Sequence, residues 1–465
     1  MRQAKFVSEA ELAAARAAAL RLREETAGKG LKYYIESYGC QMNDNDSEKL
    51  AGMLEQAGYT PAGSKSEADC ILFNTCCIRE HAEHKVYGNI GALKKQKEER
   101  PGLIIGVCGC MPQQDGAGEK LYKRFPFLDM VFGTHELHNF PVMLDEAYHG
   151  QRVINVRDSE GEVAEGLPIA RRGSFSTNVT ITYGCNNFCS YCIVPYVRGR
   201  ERSRTPEAIL NEVRALSAAG FKEITLLGQN VNSYQGGEVD FPELLRLVHG
   251  VDGIERIRFM TSHPKDLSPG LMEAMAELPR ICRHLHLPVQ SGSNRILSQM
   301  NRRYTREKYM EEVQALRGLV PDIELTTDII VGFPGETERD FCDTMELIDE
   351  VGYSAAFTFM YSPRKGTAAA AMQAQVPQEV KSERLHRLNT LQATKTKETN
   401  NKYLHTSGEV LVEGYDKKGM AYGKLSNAKM VYFPGDESMI GSLRMVNITH
   451  TNNNSLIGEL VGKAE

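Results

Sequence analysis

The sequence predicts an α/β protein in three parts: an N-terminal open α/β sheet, a central partial (βα)6 barrel of TIM type, and a small C-terminal all-β barrel. Three observations predict it. Residues 31–150 alternate apolar strand-like runs with helical patterns, and cysteines stand where the runs end. Residues 173–402 repeat strand and helix about six times. Residues 403–465 break into short alternating runs split by Gly, Asn and Asp.

The first 30 residues read as a helical extension. Ser8-Glu9-Ala10-Glu11 is a capping box that opens an Ala-rich, charged helix ending near Gly28, expected to lie solvated on the next domain. In residues 31–150 the strand-like runs end at Tyr38-Gly39-Cys40, Phe73-Asn74-Thr75-Cys76, Val107-Cys108-Gly109-Cys110 and Met130-Val131-Phe132-Gly133. Ligands of open α/β sheets bind beyond the carboxyl ends of the strands. Cys40, Cys76 and Cys110 sit at such ends, so one sheet edge can gather three thiols. Cys70, Cys77 and Cys108 compete for the same role, and strand alternation does not choose between Cys108 and Cys110.

Residues 151–172 hold few apolar residues and several charges, as a linker would. Residues 173–402 follow. Their strands are expected near Val179–Tyr183, Glu223–Leu227, Arg256–Met260, His284–Val289, Glu324–Gly332 and Ala355–Tyr361. The first helix starts at Thr205-Pro206 and stops at Gly220. Barrel sites lie at the carboxyl ends of the strands. Polar residues end strands there: Gln229, Asn230, Ser262, His263, Gln290, Ser291, Asp328, Tyr361 and Ser362. Cys282 and Cys342 are expected in the core. Gly332-Phe333-Pro334-Gly335-Glu336-Thr337 is a tight turn, equally readable as αβ punctuation or as a ligand contact.

After the first barrel strand comes Cys185-Asn-Asn-Phe-Cys189-Ser-Tyr-Cys192, a C-x3-C-x2-C pattern. A 4Fe–4S cluster takes four ligands. Three local thiolates leave one iron open, and an open position implies a bound cofactor or substrate. A zinc knuckle is the competing reading, but the next histidine downstream is the distant His249.

Composition narrows the function classes. The chain has 465 residues, eleven cysteines, no Trp and a formal charge of −5. No stretch approaches the roughly 18 apolar residues of a membrane span. With no leader-like segment, a reducing cytoplasm is expected, where cysteines bind metal or catalyse rather than pair. Nucleic-acid binding would need a local basic patch. Arg198-Gly199-Arg200-Glu201-Arg202-Ser203-Arg204 is the strongest one, suited to phosphate, or else solvated or paired with carboxylates. In the C-terminal barrel, Tyr415 and Lys424 are further candidates for RNA contact, although six Lys/Arg stand there against seven Asp/Glu. A structural end cap is the alternative.

Several motifs together resemble one family, the radical-SAM methylthiotransferases. They are Tyr38-Gly39-Cys40-Gln41-Met42-Asn43 with Asp46-Ser47-Glu48, Asn74-Thr75-Cys76 with Arg79-Glu80, Gly109-Cys110-Met111-Pro112, and Gly184-Cys185 through Glu201. Leu227 to Asn232, Leu287 to Gly292 and Asp328 to Thr337 complete the set. The match covers almost everything after residue 30. The residues around Cys40 are similar to the branch that acts on isopentenylated adenosine in tRNA. The branches acting on threonylcarbamoyl-adenosine and on a ribosomal-protein aspartate differ there.

The resemblance implies a fold order of auxiliary-cluster domain, radical-SAM core and TRAM domain. It assigns Cys40, Cys76 and Cys110 to an auxiliary 4Fe–4S cluster, and Cys185, Cys189 and Cys192 to the radical-SAM cluster. S-adenosylmethionine is the implied cofactor, with Gly228, Gln229, Asn230, His263 and Asp328 as candidate contacts. Arg198, Arg200, Arg202, Arg204, Tyr415 and Lys424 are candidate RNA contacts. The implied reaction places a methylthio group on carbon 2 of isopentenylated adenosine beside the anticodon. One S-adenosylmethionine would give the methyl group, and a second would give the 5′-deoxyadenosyl radical. The base must leave its stack to reach a buried site. Implied partners are the tRNA anticodon stem–loop, an electron donor protein of flavodoxin or ferredoxin type, and iron–sulfur or sulfur-delivery proteins. A monomer off the membrane is expected. Competing readings are methylthiolation of a ribosomal protein, and a non-catalytic RNA-binding protein with structural metal sites.

Overall fold

A computed structural model describes residues 4–77, 80–157 and 160–461. Arg79, part of one cysteine motif, lies outside the described residues. The N-terminal helix spans Glu9–Glu25, with the Ser8–Glu11 capping box in place. It is anchored rather than merely solvated. Ala15, Ala18, Ala19 and Leu22 are buried, and Arg21 reaches Asp145 at 2.8 Å on the helix Phe140–Tyr148.

The N-terminal sheet has six parallel strands in the order Thr60–Pro61, Lys32–Ser37, Cys70–Thr75, Ile104–Gly109, Met130–Phe132 and Val153–Asn155. Cys70–Thr75 and Ile104–Gly109 are buried at every position, as strands covered on both faces must be. The chain passes from Lys32–Ser37 out to the edge and returns on the other side through Cys70–Thr75. This is a topological switch point, and ligands of such sheets bind at its carboxyl end.

The segment 151–172 is not simply a linker. Val153–Asn155 is the sixth strand, held by the Val153 N–H on the Asp129 carbonyl at 2.7 Å. Three residues are too few to show a period of two. Further on, the Val7 N–H donates to the Val163 carbonyl, and the Ala170 N–H to the Glu48 carbonyl.

The central region has six parallel strands in chain order: Ser176–Thr180, Glu223–Leu227, Arg256–Phe259, His284–His286, Glu324–Val331 and Ala355–Met360. The third and fourth are joined through Ile257, whose N–H and carbonyl bond Arg280 and Cys282. Among the described residues, the first and last strands do not pair, so the barrel is open on one side. The apolar core lies between these strands and the surrounding helices. The helix Pro206–Ala218 is capped by Thr205, and Gly220 turns the chain with φ +90°. Cys282 is buried, but Cys342 is half-buried on a helix, its thiol toward Glu338.

The first barrel strand begins and ends earlier than the sequence suggests. Thr182–Tyr183 leaves it to pair antiparallel with Arg202–Ser203, which closes the base of the cysteine loop. The free edge of Ser176–Thr180 is sealed by side chains. Arg171 and Asn45 donate to the Asn178 carbonyl, and Arg204 to the Thr180 carbonyl.

A 24-residue helix, Gln378–Asn401, packs on the last barrel strand and leads into a closed five-stranded barrel. Its strands are Ser407–Tyr415, Met420–Leu425, Met430–Pro434, Leu443–Thr451 and Leu456–Leu460, around a core that includes Val410, Phe433 and Ile448. Arg256 and Arg258 clamp it. They donate to the carbonyls of Lys424, Glu409, Ser426 and Leu425 at 2.6–3.0 Å. Arg256 and Glu324, the latter bonded by Tyr403, begin their strands. The small barrel therefore caps the amino ends of the central strands, opposite the cysteine triplet.

Candidate active site

Cys185, Cys189 and Cys192 lie in the loop beyond Ser176–Thr180. Gly184 has φ +70°, and a Cβ there would stand 2.2 Å from the Arg200 carbonyl oxygen, so the loop can fold back only on glycine. The Asn187 N–H donates to the Cys185 sulfur at 3.5 Å, and the Cys192 N–H to the Cys189 carbonyl at 2.9 Å. Residues 299–302 hold the loop from below. Asn301 Nδ2 donates to the carbonyls of Asn187 and Phe188, Ser190 donates to the Gln299 carbonyl, and Arg302 donates to the Cys189 sulfur at 3.4 Å. Nothing in the cysteine spacing points to these residues.

Burial pushes the Cys185 thiol up to about 11 and Cys192 up to about 12. A bound metal has to displace those protons, and thiolate ligands are then favoured by its charge. Burial also works against the charge of Arg302. Neighbouring Tyr304, Tyr191 and Cys189 nevertheless hold its pKa well above the ordinary value, so a cation stands behind the triplet.

The second constellation forms at the switch point of the N-terminal sheet. Cys40 caps the helix Gln41–Gln56, Cys76 follows Cys70–Thr75, and Cys110 follows Ile104–Gly109. Gly39 and Asn43 bring them together. With φ +120°, Gly39 lies so close to Cys76 that an added Cβ would be 2.7 Å from its sulfur. The thiols of Cys40 and Cys110 both face Asn43 Oδ1, at 3.6 and 4.0 Å. Asn43 is itself locked by bonds to the carbonyls of Tyr38 and Thr75.

Gly109, whose φ of +97° ends the strand alternation, sends Cys108 and Cys110 into different surroundings. Cys108 packs into the sheet core with Cys70, and burial drives its thiol far up. Cys110 lies beyond the turn, and contact with Cys77 leads the influences that lower it to about 6. Cys77 shares a small buried cluster with Cys110, Ile193 and Val197.

Among the described residues, no three His, Cys, Asp or Glu side chains converge on one point as ligands of a single ion would. A 4Fe–4S cluster does not require that, because each thiolate binds a different iron. Two thiols facing one polar atom with a third held against Gly39, or three on one short loop, fit such a group in donor chemistry.

Arg198 connects the two constellations. It follows the triplet by six residues, yet it donates to Asn43 Oδ1 and to Asp46 Oδ2, both at 2.9 Å. This corrects the expectation of an RNA-facing basic run. Arg198 is buried beside the Cys40–Cys110 constellation. Arg202 is buried and donates to the carbonyls of Glu160, Arg198 and Arg200. Arg204 is buried between Glu165 at 2.8 Å and Glu212 at 2.5 Å. Burial drives such groups to find partners, and these three found them inside the protein. Only Arg200 is exposed, lying over the Phe188 ring at 4.3 Å. In the C-terminal barrel Tyr415 is exposed, and Lys424 pairs with Glu413 at 3.0 Å.

Arg204→Met is expected to lower stability by about 2–3 kcal/mol, because it leaves the half-buried Glu165 without this partner and Glu212 with Arg171 alone. Urea unfolding followed by circular dichroism measures it. An unchanged midpoint would contradict the role given to this ion pair.

At the carboxyl ends of the barrel strands, Gln229 Oε1, Asn230 Oδ1, Ser262 Oγ, His263 Nε2 and Tyr361 OH are buried without a hydrogen-bond partner. Such a concentration of orphaned polar atoms marks a ligand site. Gly228 packs against Thr182, with no room for a side chain. Burial, helped by the charges of Arg302 and Lys265, pushes His263 down to about 2, so it is neutral. Its Nδ1 accepts the Lys265 N–H, which leaves Nε2 to carry the proton as a donor. Asp328 stands apart, mid-strand, with His286 Nε2 at 3.5 Å.

The Radical SAM superfamily matches residues 179–348, the uncharacterized protein family UPF0004 residues 32–133, and the TRAM domain residues 402–461. A tRNA-2-methylthio-N(6)-dimethylallyladenosine synthase of Clostridium beijerinckii is 52% identical over 434 residues, covering 92% of this chain and 95% of its own. The protein of that name from Caldicellulosiruptor saccharolyticus is 53% identical over 439 residues, 93% of each chain. Among solved structures, the radical S-adenosylmethionine methyltransferase TsrM from Kitasatospora setae, with cobalamin and a 4Fe–4S cluster bound, shares the fold. Its TM-score is 0.53 at 15% identity, over 73% of this chain and 74% of that one. With such identity along nearly its whole length, this chain belongs to the radical-SAM methylthiotransferase family, alongside the tRNA-2-methylthio-N(6)-dimethylallyladenosine synthases.

Proposed function

We propose that this chain is a tRNA methylthiotransferase that places a methylthio group on carbon 2 of isopentenylated adenosine 3′ of the anticodon. The observation that carries this reading is a pair of three-thiol constellations joined through Arg198, one of them at the mouth of the barrel. Cys185, Cys189 and Cys192 hold the radical-SAM cluster, and Cys40, Cys76 and Cys110 hold the auxiliary one. When bound, these clusters and S-adenosylmethionine supply the radical, the methyl group and the sulfur.

The chain's own part is to position and shield. Gln229, Asn230 and the neutral His263 offer polar atoms to S-adenosylmethionine beside the triplet, and Gly228 lets the backbone approach. Arg302 offsets negative charge at Cys189, and Arg198 does so at the auxiliary site. Arg200, Tyr415 and Lys424 remain as surface contacts for the anticodon stem–loop. The reaction also calls for an electron donor protein of flavodoxin or ferredoxin type and for iron–sulfur or sulfur-delivery proteins. A cytoplasmic monomer suits those partners. No helix among the described residues is long and apolar enough to cross a membrane.

The test is an anaerobic reaction of the reconstituted protein with S-adenosylmethionine, reductant and isopentenylated tRNA, followed by nucleoside mass spectrometry. A methylthio group in place of one hydrogen is expected. Formation of 5′-deoxyadenosine with an unchanged nucleoside would move the substrate to threonylcarbamoyl-adenosine or ribosomal protein.

A further inference from the structure

Two large apolar side chains stand exposed on the last barrel strand: Phe357 is 53% exposed and Phe359 43%. Their direction is set by their neighbours. Thr358 Oγ1 bonds Asn389, and Met360 sulfur is approached by Ser382, both on the covering helix Gln378–Asn401. Alternation therefore turns Phe357 and Phe359 the other way, into the barrel. The Phe357 ring meets the His286 ring edge-on at 5.8 Å, on the inner face. Across the parallel ladder, Phe357 is in register with Asp328, and Phe359 with Ile330.

This strand is one lip of the open barrel. The other lip, Ser176–Thr180, is covered by the helix Gln41–Gln56, which follows Cys40. Asn45 on that helix accepts from Thr180 Oγ1 at 2.8 Å. A flat group resting on the two phenylalanines would face the side of the opening that carries the auxiliary cysteines, with the triplet at the carboxyl end above. Two aromatic rings left uncovered side by side on the inner face of a barrel offer apolar surface that a ligand can cover.

On the functional reading above, the modified base has three properties: a planar ring, an apolar five-carbon chain and one remaining N–H on its exocyclic nitrogen. We propose that Phe357 and Phe359 receive the isopentenylated adenine, the rings covering its apolar chain, with Asp328 beside them as acceptor for the exocyclic N–H. These residues would then set the preference for prenylated over unmodified RNA. This inference rests on the tRNA reading and adds the residues that read the prenyl group.

The test uses the reconstituted holoenzyme under anaerobic conditions and two fluorescent anticodon stem–loops, one with isopentenyladenosine and one with adenosine. Fluorescence anisotropy gives the affinity for each. The wild type is expected to prefer the prenylated RNA about ten-fold or more, which corresponds to burying about two methylene groups. Phe357→Ala with Phe359→Ala should remove most of that preference, weakening binding of the prenylated RNA several-fold more than that of the unmodified one. Phe357→Leu, which keeps an apolar side chain, should retain part of it. Equal iron content and circular dichroism identify the variants as folded. A preference that survives the double substitution overturns the proposal. So does a wild type without preference, and methylthio product from the same prenylated RNA then shows that the recognition surface, not the reaction, was wrong.

Discussion

Cys189→Ala abolishes formation of 5′-deoxyadenosine from S-adenosylmethionine, and with it every later product. Cys189 is the most buried of the triplet and the one whose sulfur receives Arg302 at 3.4 Å. Removing the sulfur takes away one of only three local ligands and leaves Arg302, itself 4% exposed, without that acceptor. Neither Cys185 nor Cys192 can stand in, because the Asn187, Asn301 and Ser190 bonds fix the loop around them. Loss to background is expected in a chromatographic assay of 5′-deoxyadenosine. Iron per chain should fall by roughly half, since four of eight irons sit at this site. Normal cleavage by the variant would overturn the assignment of the triplet.

Cys76→Ala separates the two sites. It should retain 5′-deoxyadenosine formation and yield no methylthio nucleoside, again with roughly half the iron. Cys76 is 1% exposed, and Gly39 lies against its sulfur with no space for a Cβ. Alanine there removes a ligand from the auxiliary set without touching the barrel. Cys77→Ala is the companion variant. Cys77 follows Cys76 in the chain and its thiol contacts Cys110, and the variant is expected to leave product formation in place. Methylthio product from Cys76→Ala, or its loss in Cys77→Ala alone, would exchange the roles of the two thiols.

Arg198 warns against treating the sites as independent. It sits on the triplet's own loop but bonds Asn43, the residue that both Cys40 and Cys110 face. A substitution there disturbs the auxiliary thiols and the loop together, so the paired cysteine variants separate the two sites more cleanly than any arginine variant.

Much was legible from residues alone. The triplet spacing, the cysteine at each of three strand ends and the strand–helix alternation are local features, and local features survive in a linear string. The capping box at Ser8 and the Thr205 helix start formed where their patterns stand, because both are satisfied within four residues. The strand Val153–Asn155 was invisible because its evidence is a neighbouring strand, not a periodicity.

By itself the sequence carried the family, the expected order of the three parts and the cysteine spacings at strand ends and in one loop. Each depends on spacing along the chain. Tertiary structure alone decided which charges face water. Arg198, Arg202 and Arg204 look like a phosphate-binding run, yet carboxylates and carbonyls from residues two to 152 positions away satisfy them inside the protein. It also decided that Asn301 and Arg302 support the triplet, that Gly109 turns Cys110 out of the sheet core, and that two phenylalanines face an open barrel. The physical reason is common to all four. Burial and pairing are properties of what folding brings close, and a guanidinium, a thiol or a ring carries no mark in sequence of the partner it will meet.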